Sequence, residues 1–514
     1  VKTVGNYAFA NTGSIEVNLG SVEIIGNAAF RNSGIATFDN NGVATVKLTA
    51  LKKLGVDAFN GTTNVTDVSF AGAPIDNVSA RAFANSSIKS VHLGSIKIIS
   101  MSAFANSGLE SVSNGSGVKT IKTKAFFKSK ISSVSEFANV ENIEKEAFHD
   151  TQYFTNSSGI LIIGKVLYYD KGGSTFIVDG RVVSIAPEAF TKSNFTTVDL
   201  SGYTSLKYID SYAFAGSNIS TVKLPASLMT IKDSAFRDSN VQSVDFSACE
   251  NLTSIWPYAF ANCRQLNALI FKPYDKVAKD TLTLSINAYA FSGCVELTSV
   301  KLPENLKELG AYAFKGCINI ETIEFITNAQ LAQEEAGEGG DSNPKYEKDN
   351  LITAIGDGAF MGCKKLKKVS LPYIVASIGN SAFEDCTALV TFTTMEGADL
   401  KKQPAALLRT IGDRAFFGNT SLHDVDENTT KGVNTIGVSA FENCEILETI
   451  NLSGMTKFAE GVFRNAKALK RVTMGENASI DVGQEAFKNC VTLLDITARI
   501  AAVDDGAFIN CISL

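Results

Sequence analysis

Short apolar stretches alternate with polar ones along this chain, and the alternation recurs. A phenylalanine stands at twenty positions from Phe9 to Phe508, preceded by alanine everywhere except at Phe463. Fourteen of the nineteen intervals between these rings measure 21 to 25 residues. A unit this short cannot bury an apolar face alone, so stacked neighbours must cover it.

The best-preserved unit runs from Cys294 to Phe314 as CxxLxxVxLPxxLxxLGxxAF. Its Val300-Lys301-Leu302 core alternates apolar and polar, which predicts a short strand with one buried face. Pro303 ends that strand because proline has no N–H for a ladder. Gly310 suits a tight corner, and the Ala-Phe pair then turns a large ring inward. The rings, among them Phe236, Phe260, Phe291 and Phe314, are expected to form one column.

Three residues after most rings comes a small side chain, Ser or Thr in the first half and Cys in the second. It is Ser at 33, 86, 107, 129, 193, 217 and 239, then Cys at 263, 294, 317, 363, 386, 444, 490 and 511. Ser and Cys are close in shape, so Cys263, Cys294, Cys317 and Cys363 read as occupants of an inward turn position that bonds to backbone. The next apolar residue follows Ser after two positions (Ser86, Ile88) and Cys after three (Cys294, Leu297).

The chain resembles the BspA-like class of leucine-rich repeat, with a signature near LxxIxLPxxLxxIGxxAFxxC. Leu297 to Phe314, Leu366 to Phe383 and Ile219 to Phe236 carry the match, and the resemblance extends over practically the whole sequence. It departs from the signature in the early Ser positions and the frequent loss of Pro. It implies a β-rich α/β solenoid, a right-handed superhelix of about 20–21 coils with short parallel strands on one face and a long concave surface. The sequence reads as a single continuous solenoid over 1–514. Val1 and Leu514 both fall inside the pattern, which reads as a fragment truncated at both ends, with signal and anchor outside it.

Five intervals are long, with the excess near 39–45, 154–180, 272–283, 326–350 and 393–407, always between the strand and the corner. Insertions at one repeat position map to one edge, where solenoids often carry binding; length is also simply cheap at such a loop. Residues 154–180, with Gly159 to Tyr169, Lys171-Gly172-Gly173 and Phe176 to Val178, predict a β-hairpin with a Gly-containing turn. Residues 326–350 predict an acidic loop.

Composition narrows the chemistry. The net charge is -6, which gives a nucleic-acid binder no basic face, and no apolar run reaches membrane-span length. Three His and one Trp among 514 residues leave little material for a histidine or metal site. No CxxC, GxSxG or HExxH occurs. Gly159 to Lys165 approaches a phosphate loop, but Val166 stands where magnesium needs Ser or Thr. No cofactor and no enzyme activity are expected.

Recognition is the remaining reading. Outward strand positions after the buried Val or Ile vary from coil to coil: His92, Lys223, Asp245, Lys301, Glu324, Ser370, Asn451 and Thr473. These are the candidate binding residues of the concave strand face. Lys119, Lys122, Lys124, Lys128 and Lys130 form a basic stretch suited to an acidic partner or glycan, or simply a solvated face. Thirteen Asn-x-Ser/Thr sequons, Asn419 among them, arise in so Ser- and Asn-rich a repeat. The family resemblance implies cell-surface or secreted adhesion to protein or glycan partners, host extracellular matrix included. An intracellular or assembly scaffold, which reduced thiols would suit, and the recognition part of a larger enzyme are the alternatives.

Overall fold

The computed structural model describes residues 1–36, 45–172, 178–191, 193–271, 282–303, 305–325, 352–372, 374–394, 408–475 and 478–514. The acidic loop expected at 326–350 lies outside these, as do most of 39–45, 272–283 and 393–407. The fold is a parallel-strand β-solenoid of about 19 turns. Helix is nearly absent: among the described residues only Ser135–Phe137, Gln152–Asn156 and Glu427–Thr430 are helical. The chain divides into two compact units. The first holds Val1–Phe190 and Gly202–Ala213; the second holds Thr191–Ser201 and Phe214–Leu514.

Each unit repeats one coil. The LxxV segment forms the expected strand, as in Ser90–His92, which pairs in parallel and in register with Asp67–Ser69 and Ser111–Ser113. In the second unit Thr221–Lys223 pairs likewise with Thr197–Asp199 and Ser243–Asp245. The sequence pattern suggested one strand per coil on one face; the structure has two. The residues before the corner form a second parallel column, such as Asn77–Val78, Ile98–Ile99 and Thr120–Ile121 in the first unit. Most of its rungs are two residues long, too brief to show alternation in a sequence.

The third side of the coil is a turn built around Ala-Phe. Two residues before and two after the rings, the backbone takes positive φ at every described position, as at Arg81 (53°) and Asn85 (56°), or Tyr289 (59°) and Gly293 (74°). Such residues cost on the order of 1–2 kcal/mol when they are not glycine. Regular backbone bonds to the next coil offset the strain. Arg81, Phe83 and Asn85 donate to Met101, Ala103 and Ala105, and Tyr289, Phe291 and Gly293 donate to Ala311, Ala313 and Lys315, all at 2.8–3.0 Å. The corner itself depends on close approach rather than on φ. A Cβ on Gly310 would stand 2.6 Å from Ala288 N of the preceding coil.

Of the ten patterned positions of the 294–314 unit, Cys294, Leu297, Val300, Leu302, Leu306, Leu309, Ala313 and Phe314 are at most 2% exposed. In the first unit the rings from Phe9 to Phe148 stack at 5.0–5.5 Å between neighbouring centroids. In the second, those from Phe214 to Phe508 stack at 4.9–5.6 Å. Each stacked pair adds roughly 0.5–1.5 kcal/mol to what burial alone supplies.

The position three after the ring is buried in both units but bonds differently. Ser33, Ser86 and Ser107 donate their hydroxyls to the phenylalanine carbonyl of their own coil at 2.6–2.8 Å. Cys294, Cys317 and Cys386 donate their thiols to the phenylalanine carbonyl of the preceding coil, Phe260, Phe291 and Phe360, at 3.2–3.3 Å.

Candidate recognition surface

Within each of their sheets the eight candidate strand residues fall at one register position. His92 stands beside Ser69 and Ser113, Lys223 beside Asp199 and Asp245, Lys301 beside Glu324, Ser370 beside Thr393, and Asn451 beside Thr473. Much of this column is occupied with itself. Lys223 Nζ lies 3.0 Å from Asp199, and Lys301 Nζ lies 3.2 Å from Glu324. Asp199 is held down to about 2, first by the Ser201 hydroxyl and then by Lys223. Asp245 accepts from Ser247 N–H, and Asn451 accepts from the Ser453 N–H and hydroxyl. These are turns in which a side chain two residues back satisfies the strand end. The signal was present as Asp245-x-Ser247 and Asn451-x-Ser453, so part of the variation serves the coil.

The basic stretch divides in two. Lys119, Lys122 and Lys124 pair with Glu141, Glu144 and Glu146 at 3.1, 2.9 and 3.4 Å, each 22 residues on and so in the same repeat position of the next coil. Glu141 also meets Lys165 at 2.9 Å, and Lys165 and Lys119 hold its carboxyl below the usual range. Exposed pairs of this kind contribute about 0–1 kcal/mol each. Lys128 and Lys130 point elsewhere, and among the described residues neither has a carboxylate at ion-pair distance. They line an open groove of about 520 Å³ with Glu110, Asp150, Gln152 and Asn156.

The groove borders the hairpin. Ile160–Ile163 and Val166–Asp170 pair antiparallel around Gly164-Lys165, with Gly164 at φ 60° as such two-residue turns require. The second segment expected in this region, Phe176 to Val178, lies mostly outside the described residues. Val166–Leu167 then pairs in parallel with Ser184–Ile185, so the second arm supplies a rung of the second strand column. No Ala-Phe turn faces Phe148 at this point. The Tyr168 hydroxyl accepts the Phe148 N–H instead, at 2.9 Å. The same hydroxyl lies 3.0 Å from His149 Nδ1, within hydrogen-bond distance, so it joins the Phe148 backbone to the imidazole. Burial lowers the His149 pKa. Phe154 stacks on that imidazole at 4.4 Å, and Tyr169 meets it edge-on at 5.0 Å. Thr151 fixes the short Gln152–Asn156 helix from its N-cap: Oγ1 donates to Phe148 O and accepts from Phe154 N–H.

His92 is half-buried with no partner for Nδ1, and His423 is exposed beside Asp424. All nine cysteines are unpaired, and eight are buried. Burial raises Cys263 and Cys317 to about 12, far from thiolate chemistry at neutral pH. Among the described residues no group of three or more His, Cys, Asp or Glu is placed to hold a metal ion, and no helix is long and apolar enough to cross a membrane. Of the sequons, Asn85, Asn114, Asn156, Asn194, Asn218 and Asn251 are exposed, whereas Asn419 is fully buried.

No curated protein matches the chain. Among solved structures it is similar to a leucine-rich repeat protein from Bacteroides ovatus, at 21% identity over 63% of this chain and 88% of that one, TM-score 0.37. It is similar also to the pneumococcal vaccine antigen PcpA, at 18% identity over 68% and 84%, TM-score 0.32. A leucine-rich cell surface protein from Faecalibacterium prausnitzii aligns at 18% identity over 81% and 87%, TM-score 0.26. Six copies of the BspA-type leucine-rich repeat region match residues 1–36, 34–155, 183–280, 275–390 and 402–514. The match spans most of the coils just described, and the chain belongs to the BspA-type leucine-rich repeat family.

Proposed function

We propose that the chain is a non-enzymatic recognition module, displayed at a cell surface or secreted, that engages protein or glycan partners. The contact surface is the outward strand column together with the hairpin edge. One observation carries this reading: beside the inserted hairpin, Lys128 and Lys130 have no carboxylate at ion-pair distance among the described residues, Lys128 resting only over the Phe127 ring at 5.2 Å, whereas Lys119, Lys122 and Lys124 are paired in register. Polar groups held rigidly on a repeat and left without internal partners are what a binding surface needs. The buried thiols do not choose between outside and inside the cell, because burial protects them from oxidation in either setting.

The test is direct binding of the purified chain to immobilised matrix proteins, whole cells and a glycan array. Saturable binding to any of these is the expected result. Failure to bind all three removes the proposal.

A further inference from the structure

We infer that the groove beside the hairpin is a carbohydrate subsite that takes an uncharged, hydroxyl-rich ligand; this rests on the recognition reading above. The chemistry of the wall selects the ligand class. Lys128 and Lys130 offer only donors, Glu110 and Asp150 only acceptors, and Gln152 and Asn156 both. An anionic ligand attracted by the lysines would meet two carboxylates without ion-pair partners. A cation attracted by the carboxylates would meet two unpaired ammonium groups. A sugar hydroxyl is donor and acceptor at once, so a ring of hydroxyls satisfies this mixed wall without introducing a charge.

The volume and lining support the same class. About 520 Å³ lies within the range of small-ligand sites, but an apolar ligand needs an apolar lining, and every residue that lines this groove is a polar one. Ser129 also lines the groove and is 2% exposed. Its column neighbours Ser86, Ser107 and Thr151 each donate to the phenylalanine carbonyl of their own coil, whereas the Ser129 hydroxyl has no partner. That hydroxyl is buried beneath the wall, so the exposed side chains, rather than Ser129, present the donors and acceptors a ligand meets. The Gln152–Asn156 helix, fixed by Thr151, brings the two amides to the rim.

The experiment uses the full chain on an array of neutral, sialylated and sulfated glycans, followed by titration of the best neutral oligosaccharide at low and high salt. Binding of a neutral glycan that hardly changes with salt is expected. Lys130→Ala, Glu110→Ala and Gln152→Ala should each weaken it about tenfold, as expected when a hydrogen bond to the ligand is lost. All three side chains are exposed, so thermal unfolding should not move; that measurement separates lost binding from lost fold. Neutral-glycan binding unaffected by all three substitutions overturns the subsite, as does salt-sensitive binding confined to sialylated or sulfated glycans. Absence of glycan binding also overturns it, and if protein or cell binding persists the broader recognition reading survives.

Discussion

The serine-lined coils of the first unit and the cysteine-lined coils of the second solve one problem with different atoms. In most coils the ring's carbonyl already receives the N–H three residues on, as Phe104 receives Ser107 and Phe291 receives Cys294. It has a second lone pair to fill. A hydroxyl on a short C–O bond fills it locally, within the coil. A thiol on a longer C–S bond reaches the carbonyl one coil back. Coil spacing does not decide this, and Thr62 shows why: its next apolar residue, Val65, follows after three positions as in the cysteine coils, yet Thr62 donates to its own Phe59 at 3.0 Å. The serine bond thus stiffens one coil, whereas the cysteine bond ties two together.

The comparison implies that the two units share a main source of stability and differ in a smaller one. Truncating a ring should show the shared part. Phe104→Ala and Phe291→Ala remove fully buried rings from equivalent stacks and should each cost about 3–5 kcal/mol. Hydrogen exchange should place the loosened amides around the altered coil. If the two costs differ severalfold, the turn position contributes more than the ring column, and the picture of one common core fails.

Alkali and acid should separate the units. A cysteine whose folded pKa lies above its ordinary 9.0 contributes stability that is full below pH 9 and is lost as pH rises toward about 12. All nine cysteines lie in the second unit. Between pH 9 and 10, below the ordinary tyrosine range, that unit should become the first cut in limited proteolysis. His149, lowered from its ordinary 6.5 by burial, works in the opposite direction. Its contribution is present above pH 6.5 and is lost as pH falls below, so acid should open the first unit around the hairpin. Simultaneous opening of both units at either extreme would show that these groups do not control local stability.

Much of this design could be read from residue spacing. The ring column, the inward Ser/Cys position and the outward strand column all recur at fixed offsets. What remained hidden depended on adjacency between coils. Lys119, Lys122 and Lys124 looked like a basic patch because their partners lie 22 residues on, although Glu141, Glu144 and Glu146 stand at matching repeat positions. Asn or Gly two residues after the ring, as at Asn32, Asn85, Gly293 and Asn489, was a legible sign of positive φ. Two-residue strands such as Thr230–Ile231 carry no periodic signal and emerge only from stacking. The groove is the extreme case, since Glu110, Lys130 and Asn156 come from three different stretches and no motif joins them.

Asn419 breaks the cysteine column between Cys386 and Cys444, and its amide nitrogen and oxygen are fully buried without partners. Leaving such groups unsatisfied costs about 1–3 kcal/mol. Asn419→Cys should recover that amount, raising the denaturant midpoint without changing the slope. An unchanged or lowered midpoint would mean that Asn419 is satisfied by bound water and that the column gains nothing from being continuous.

The smallest effect addresses the comparison most directly. Cys294→Ser places a hydroxyl in a cysteine coil, and Ser107→Cys places a thiol in a serine coil. If the atom sets the direction of the bond, the serine at 294 should turn to Phe291 in its own coil and release Phe260. The cysteine at 107 should reach back to Phe83. Each swap exchanges one weak bond for another, so stability should change by no more than about 1 kcal/mol. The informative readout is a crystal structure of each variant, since the acceptors are main-chain carbonyls that no side-chain substitution removes. The hydroxyl introduced by Cys294→Ser should lie within bonding distance of the Phe291 carbonyl, and the thiol introduced by Ser107→Cys within bonding distance of the Phe83 carbonyl. If both substituted atoms keep the original acceptor, the backbone path through the turn sets the direction of the bond and the identity of the atom is incidental.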